Sequence, residues 1–157
     1  MNKVNEILIN KKYKENLELL LELEKDREFC NHTIEHFLDV ARIAYIEVLE
    51  RGLSYSKEVI YGIALLHDIG RVLEYQKNIP HHEASVILAR EILGETSYSK
   101  DEINNMLQAI ENHRGSSEDE LSKIIYKSDK LSRNCFNCKA EKDCYWSKSK
   151  KNFEITS

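Results

Sequence analysis

At 157 residues, with 41% hydrophobic and 32% charged side chains, the chain has the length and balance of one globular domain. Its net charge of −4 gives no general attraction to nucleic acid or to an anionic membrane, and no apolar run approaches the roughly 20 residues that cross a bilayer. The opening MNKVNEILINKKYKENLELL lacks a signal-peptide pattern, so a cytoplasmic location is expected, and there four cysteines serve as free thiols or metal ligands rather than as disulfides.

The punctuation predicts an all-α chain, with one proline and, of five glycines, four that fall where helices would end. Helices are expected at residues 5–28, 32–51, 56–68, 82–93, 99–114 and 117–133. Asn31 and Ser56 are candidate N-caps, and Ser99-x-x-Glu102 and Ser117-x-x-Glu120 read as capping boxes. Gly52, Gly70, Gly94 and Gly115 are candidate C-terminal stops. From Asn134 onward the chain is rich in Lys, Ser, Asn and Cys with no apolar stripe, so residues 134–157 are expected to be an irregular extension of a helical domain at 1–133.

Several polar residues fall on apolar faces. One stripe of the second helix carries His32, His36, Val40, Ile43 and Ala44, and the third carries Val59, Ile60, Ile63, Leu66 and His67, with Asp68 next. The fifth aligns Ile103, Met106, Leu107 and Ile110 with His113, and the last aligns Leu121, Ile124 and Ile125 with Ser128 and Asp129. Burying one such group without a partner costs several kcal/mol. Imidazoles and carboxylates gathered from several helices suit a divalent metal, which offsets the buried charge and takes the nitrogen lone pairs.

The blocks EHFLDVARIAY, ALLHDIGR and IIYKSDKLSR resemble, in order and helical context, the signature of the HD superfamily of metal-dependent phosphohydrolases, over about residues 30 to 133. HHEASVILA and AIENHRG resemble further segments of its six-ligand, two-metal branch, which includes bacterial diadenosine tetraphosphate hydrolases. The resemblance implies an HD-type helical bundle with two iron, manganese or similar ions. His36, His67, Asp68 and Asp129 would hold one ion, and Asp68 would bridge to a second completed by His81 and His113. His82 is the alternative to His81, and His32 is expected to support the ligands from one turn before His36.

In that reading Asp68 is the central catalytic residue, the paired ions make hydroxide near neutral pH, and Arg71 and Lys130, more weakly Arg114, clamp a phosphate. The expected reaction is hydrolysis of a phosphate ester or anhydride of a small substrate, a nucleotide in preference. A non-catalytic nucleotide- or metal-binding module and a di-iron oxygenase remain as alternatives. Nucleic acid and membrane are not expected partners, and a homodimer is left open.

Cys135-x-x-Cys138 and Cys144 supply three thiols, and Cys30 is a candidate fourth for a zinc site or an iron–sulfur cluster. Cys30 lies six residues before His36 and Cys135 six after Asp129. If those two helices run antiparallel with His36 and Asp129 at one ion, both cysteines are displaced the same way by roughly 9 Å. Free thiols are the competing reading.

Overall fold

The computed structural model describes residues 1–114 and 117–156. Eight α-helices run through them: α1 Asn2–Ile9, α2 Lys11–Leu23, α3 Ile34–Glu50, α4 Lys57–Leu66, α5 Arg71–Lys77, α6 His81–Leu93, α7 Lys100–Asn112 and α8 Glu120–Leu131. Three short 3₁₀ turns follow, at Cys135–Asn137, Glu141–Asp143 and Lys148–Lys150. The fold is all-α.

α4 is the centre of the core. Val59, Ile60, Ile63, Ala64, Leu65 and Leu66 are all buried, so the helix is apolar around its circumference, as a helix enclosed by others must be. It packs against α3, α7, α1 and α6, while α3 also packs on α8, and α6 on α5 and α7. Each fully buried Ile or Leu contributes about 2 kcal/mol of transfer free energy.

The expected first helix is divided. Asn10 takes extended dihedrals and its side-chain oxygen accepts the Tyr13 amide at 3.2 Å, so α1 stops and α2 is capped by one residue. α2 then ends at Leu23, short of the expected residue 28. α3 starts at Ile34 with Thr33 as its cap, so Asn31 instead sends its side-chain amide to the Glu24 carbonyl. Ser56 does precede α4, without a side-chain cap bond.

The Ser99–Glu102 capping box is present in both directions. The second expected box is displaced, because Asp119 caps α8 and accepts from the Ser122 amide at 2.8 Å, while Ser117 accepts from the Asp119 amide. α5 has no counterpart among the expected helices. It is seven residues long with Val72 as its buried residue, too short to display a period.

Two glycines have distinct reasons to be glycine. Gly52 follows α3 at φ +62°, the left-handed conformation of a helix stop. Gly70 has φ −68° and is no such stop. A Cβ there would lie 2.5 Å from the Ala84 carbonyl carbon and from His81 O, and closer still to the Ser85 nitrogen. Gly70 lets the α4–α5 turn press directly on α6. Gly94 is right-handed, and Gly115 lies outside the described residues.

Candidate metal centre

Helix termini converge on one place. α4 ends at Leu66, so His67 and Asp68 occupy the turn that follows it rather than the helix itself. α6 begins at His81, α7 closes at His113, His36 lies in the first turn of α3, and Asp129 in the last of α8. His36, His67, Asp68 and Asp129 each bring one donor atom within 4.8 Å of the others, and Asp68, His81 and His113 do the same. All six residues are buried. His82 is about one-third exposed and its acidic neighbour is Glu83 at 3.9 Å.

The other ring nitrogen fixes each imidazole. His67 Nδ1 donates to Ala64 O at 2.7 Å, and His113 Nδ1 to Ile110 O at 2.5 Å. His81 Nδ1 faces Glu74 Oε1 at 3.1 Å. Ser132 Oγ donates to Asp129 O, so its oxygen is free to accept from His36 Nδ1 at 3.0 Å. With every Nδ1 turned to an acceptor, each neutral ring offers its Nε2 lone pair to the interior.

Those Nε2 atoms face carboxylate oxygen. Asp68 Oδ1 lies 3.4 Å from His81 Nε2 and 3.6 Å from His113 Nε2, while Asp68 Oδ2 lies 3.4 Å from His67 Nε2. His36 Nε2 is 3.4 Å from Asp129 Oδ1. Asp68 Oδ1 and His67 Nε2 are buried without a hydrogen-bond partner. Buried polar atoms without partners are costly unless a cation, a proton or a metal ion, joins them, and nitrogen with carboxylate oxygen is a donor set for iron, manganese or a similar divalent ion. The residues fit a metal.

Ionisation shows the same demand for positive charge. Burial opposes a proton on His67, yet Asp68 and Asp129 outweigh it and lift its pKa to about 9. Burial, reinforced by Arg133, drops His36 to about 2, and burial drops His81 to about 4. Burial raises Asp68 and Asp129, but the neighbouring His67, with other cations, holds both well below the carboxylate range.

Three supporting groups escaped sequence reasoning. Glu24 caps α2, is buried, and accepts His32 N and Nδ1 at 2.7 Å each and the Tyr75 hydroxyl at 2.7 Å. Burial would raise its pKa, but these bonds hold it at about 2. His32 Nε2 in turn reaches Asp68 Oδ2 at 3.3 Å. One Glu among several on a charged helix carries no signal of this. Glu74 was hidden because α5 was. Arg133, which donates to His36 Nε2 at 3.0 Å, was legible as the residue one turn after Asp129.

A cavity of about 520 Å³ opens over the cluster. Arg27, Arg71, Arg114, Lys130, Arg133 and Lys150 line it, with Tyr126, Tyr145 and Trp146. Arg71 Nε lies 3.3 Å from Asp68 Oδ1, and Lys130 donates to Asp129 Oδ2 at 2.6 Å beneath the Tyr126 and Trp146 rings. Arg114 reaches His81 at 3.3 Å. The far wall is the tail.

Cys30, Cys135, Cys138 and Cys144 are free and together line a second cavity of about 270 Å³, which shares Cys30, Arg133 and Trp146 with the first. Cys30 has φ +48°, a left-handed conformation that costs a non-glycine residue about 1 kcal/mol. Burial pushes its thiol up, Arg133 opposes this, and the other three cysteines add to the rise.

A family profile described as "HD domain" matches residues 33–134. A protein of Clostridium beijerinckii described only as uncharacterized is 43% identical over 155 residues, covering 99% of both chains. Ribonuclease Y of Mycoplasma mycoides is 28% identical over 134 residues, 84% of this chain and 29% of that protein. Ribonuclease Y of Mesoplasma florum matches similarly, at 28% over 131 residues and 24% of its length. No solved structure matches.

Proposed function

The chain belongs to the HD domain family of metal-dependent phosphohydrolases, and from that premise we propose that it hydrolyses a phosphate ester or anhydride of a small nucleotide at a centre for two divalent ions. One observation carries the reading: two buried donor sets share Asp68 in the wall of a cavity rimmed by basic and aromatic side chains. His36, His67, Asp68 and Asp129 would hold one ion, and Asp68, His81 and His113 the other. When bound, such ions make hydroxide available near neutral pH and neutralise phosphoryl oxygens.

The chain's own residues do the rest. Glu24 through His32, Ala64 O, Ser132, Glu74 and Ile110 O fix the orientation of the donors. Arg71 and Lys130 stand beside Asp68 and Asp129 and give a phosphate two cationic contacts. Tyr126 and Trp146 offer ring faces for a base. No helix among the described residues is long and apolar enough to cross a membrane.

The ribonuclease Y similarity favours a second substrate class, RNA, whose phosphodiester carries the same kind of phosphorus–oxygen bond. Net charge and cavity size favour the small molecule. The test is metal analysis of the purified protein, followed by phosphate release from mononucleotides, dinucleoside polyphosphates, cyclic dinucleotides and short RNA with manganese, iron or cobalt. Turnover of a nucleotide that falls at least about 1000-fold in Asp68→Ala is expected. Cleavage of RNA alone replaces the substrate, and oxygen uptake without phosphate release overturns the reaction.

A further inference from the structure

The tail is a segment with a defined path and almost no core. Among its described residues Ala140 is the buried apolar side chain, while Phe136, Tyr145 and Phe153 are exposed. Its backbone nevertheless turns at Cys135–Asn137 and at Glu141–Asp143, where the Cys138 amide donates to Cys135 O and the Cys144 amide to Glu141 O. It then returns to the end of α8, where the Phe136 amide donates to Asn152 O at 3.0 Å and Asn152 Nδ2 to Lys130 O at 2.6 Å. A short segment that cannot bury its own apolar surface needs a staple, and thiolate–metal coordination is one that four free cysteines can supply.

All four cysteines border one cavity, although Cys30 comes from the α2–α3 connection and the others from the tail. Cys138 is exposed and the other three are half-buried. No three of them come within 4.8 Å of one another, whereas the histidine and aspartate donors do. A single tetrahedral zinc, with Zn–S of about 2.3 Å, requires four sulfurs roughly 3.8 Å apart. In an iron–sulfur cluster the four thiolates are shared among several irons and stand farther apart. Arg133 and Lys151 also border the space and offset part of the charge of four thiolates.

We propose that Cys30, Cys135, Cys138 and Cys144 hold an iron–sulfur cluster that fixes the tail as a wall of the neighbouring cavity. The four thiols lose their protons on binding, and no electron transfer is required of the cluster in this role. Trp146 and Arg133, which border both cavities, are the residues through which its loss reaches the substrate. The donor set is separate from the histidine–aspartate centre, so the inference does not depend on the phosphohydrolase reading.

The full chain, purified without oxygen and reconstituted with ferrous iron and sulfide, is expected to show an iron–sulfur chromophore. It should carry two or four irons at the cysteines with equal acid-labile sulfide, and iron–iron scattering in X-ray absorption. Asp68→Ala should keep the chromophore, and Cys138→Ser should lose it. X-ray absorption on the wild-type chain decides the question even where Cys138→Ser fails to fold. One zinc in a four-sulfur shell overturns the cluster, as does iron bound without sulfide, or reconstituted protein with no metal at the cysteines.

Discussion

Gly70→Ala is the sharpest test of how the fold builds the site. The added methyl would sit 2.5 Å from the Ala84 carbonyl carbon and from His81 O, where ordinary carbon contacts are about 3.5 Å or more. These are backbone atoms, so no side chain can swing away, and α6 must retreat by about 1 Å. Overpacking of this kind costs about 1–3 kcal/mol, and weakening the bond from the Gly70 amide to Ser85 Oγ, now 2.9 Å, adds about 1 kcal/mol. For a domain of this size that lowers Tm by roughly 5–15 °C. Because Asp68 lies on one side of the contact and His81 on the other, the same shift separates two proposed ligands, and a 1 Å error in such a site costs about 100-fold in rate. Thermal unfolding, metal content and turnover should therefore fall together. A variant that melts within about 2 °C of wild type and keeps its metal would refute the reasoning.

Glu24 gives a pH prediction. Its folded pKa of about 2 lies below the usual 4.5, so its contribution is present above pH 4.5 and is lost as pH falls toward 2; it is on the order of 2–3 kcal/mol. In chelator-treated protein Glu24→Gln should thus be less stable than wild type at pH 7, with the gap narrowing as pH falls from 4.5 toward 2, and a gap independent of pH would contradict the bonded, ionised Glu24. Trp146→Ala should raise KM for a nucleotide about 10- to 100-fold with little change in kcat, from a stacking contribution of about 1–3 kcal/mol per base; an unchanged KM removes Trp146 from the substrate wall. Arg133→Ala should weaken binding of a non-hydrolysable nucleotide about 10-fold in metal-loaded protein and little in chelated protein, measured by calorimetry; equal losses in both would separate Arg133 from the metal centre.

What could be read from sequence follows from how local each cause is. The inward placement of His36, His67, His113 and Asp129 rests on helical periodicity, which a single helix displays by itself, and the Ser99 capping box needs three residues. The division at Asn10 was invisible because residues 5–28 keep a helical pattern across it, and one extended residue leaves no mark on a period. α5 was missed for the opposite reason, since seven residues with one buried side chain have no period to find. The position of Gly70 in the chain suggests a helix stop, whereas its reason lies across space in the α6 backbone. Glu24 and Glu74 are likewise tertiary, because what distinguishes them from other glutamates is the imidazole each one meets.

The arginines explain how a chain of net charge −4 can present a cationic cavity. Arg133 Nη2 lies 3.0 Å from His36 Nε2, and Arg114 Nη1 lies 3.3 Å from His81 Nε2. Those are the lone pairs a divalent ion would take, and a guanidinium cannot give up its proton to share them. Cation and arginine therefore compete for the same nitrogens, and an ion that wins leaves both guanidiniums in the cavity without that partner. Asp129, 3.8 Å from Arg133, would give up part of its charge to the ion in the same event. The carboxylates that neutralise the basic side chains are thus the ones metal loading would engage, so on the proposed function the cavity would be most attractive to a phosphorylated ligand when the centre is filled. This coupling of metal to anion needs no movement of the helices, only a change in which partner each buried nitrogen and oxygen faces.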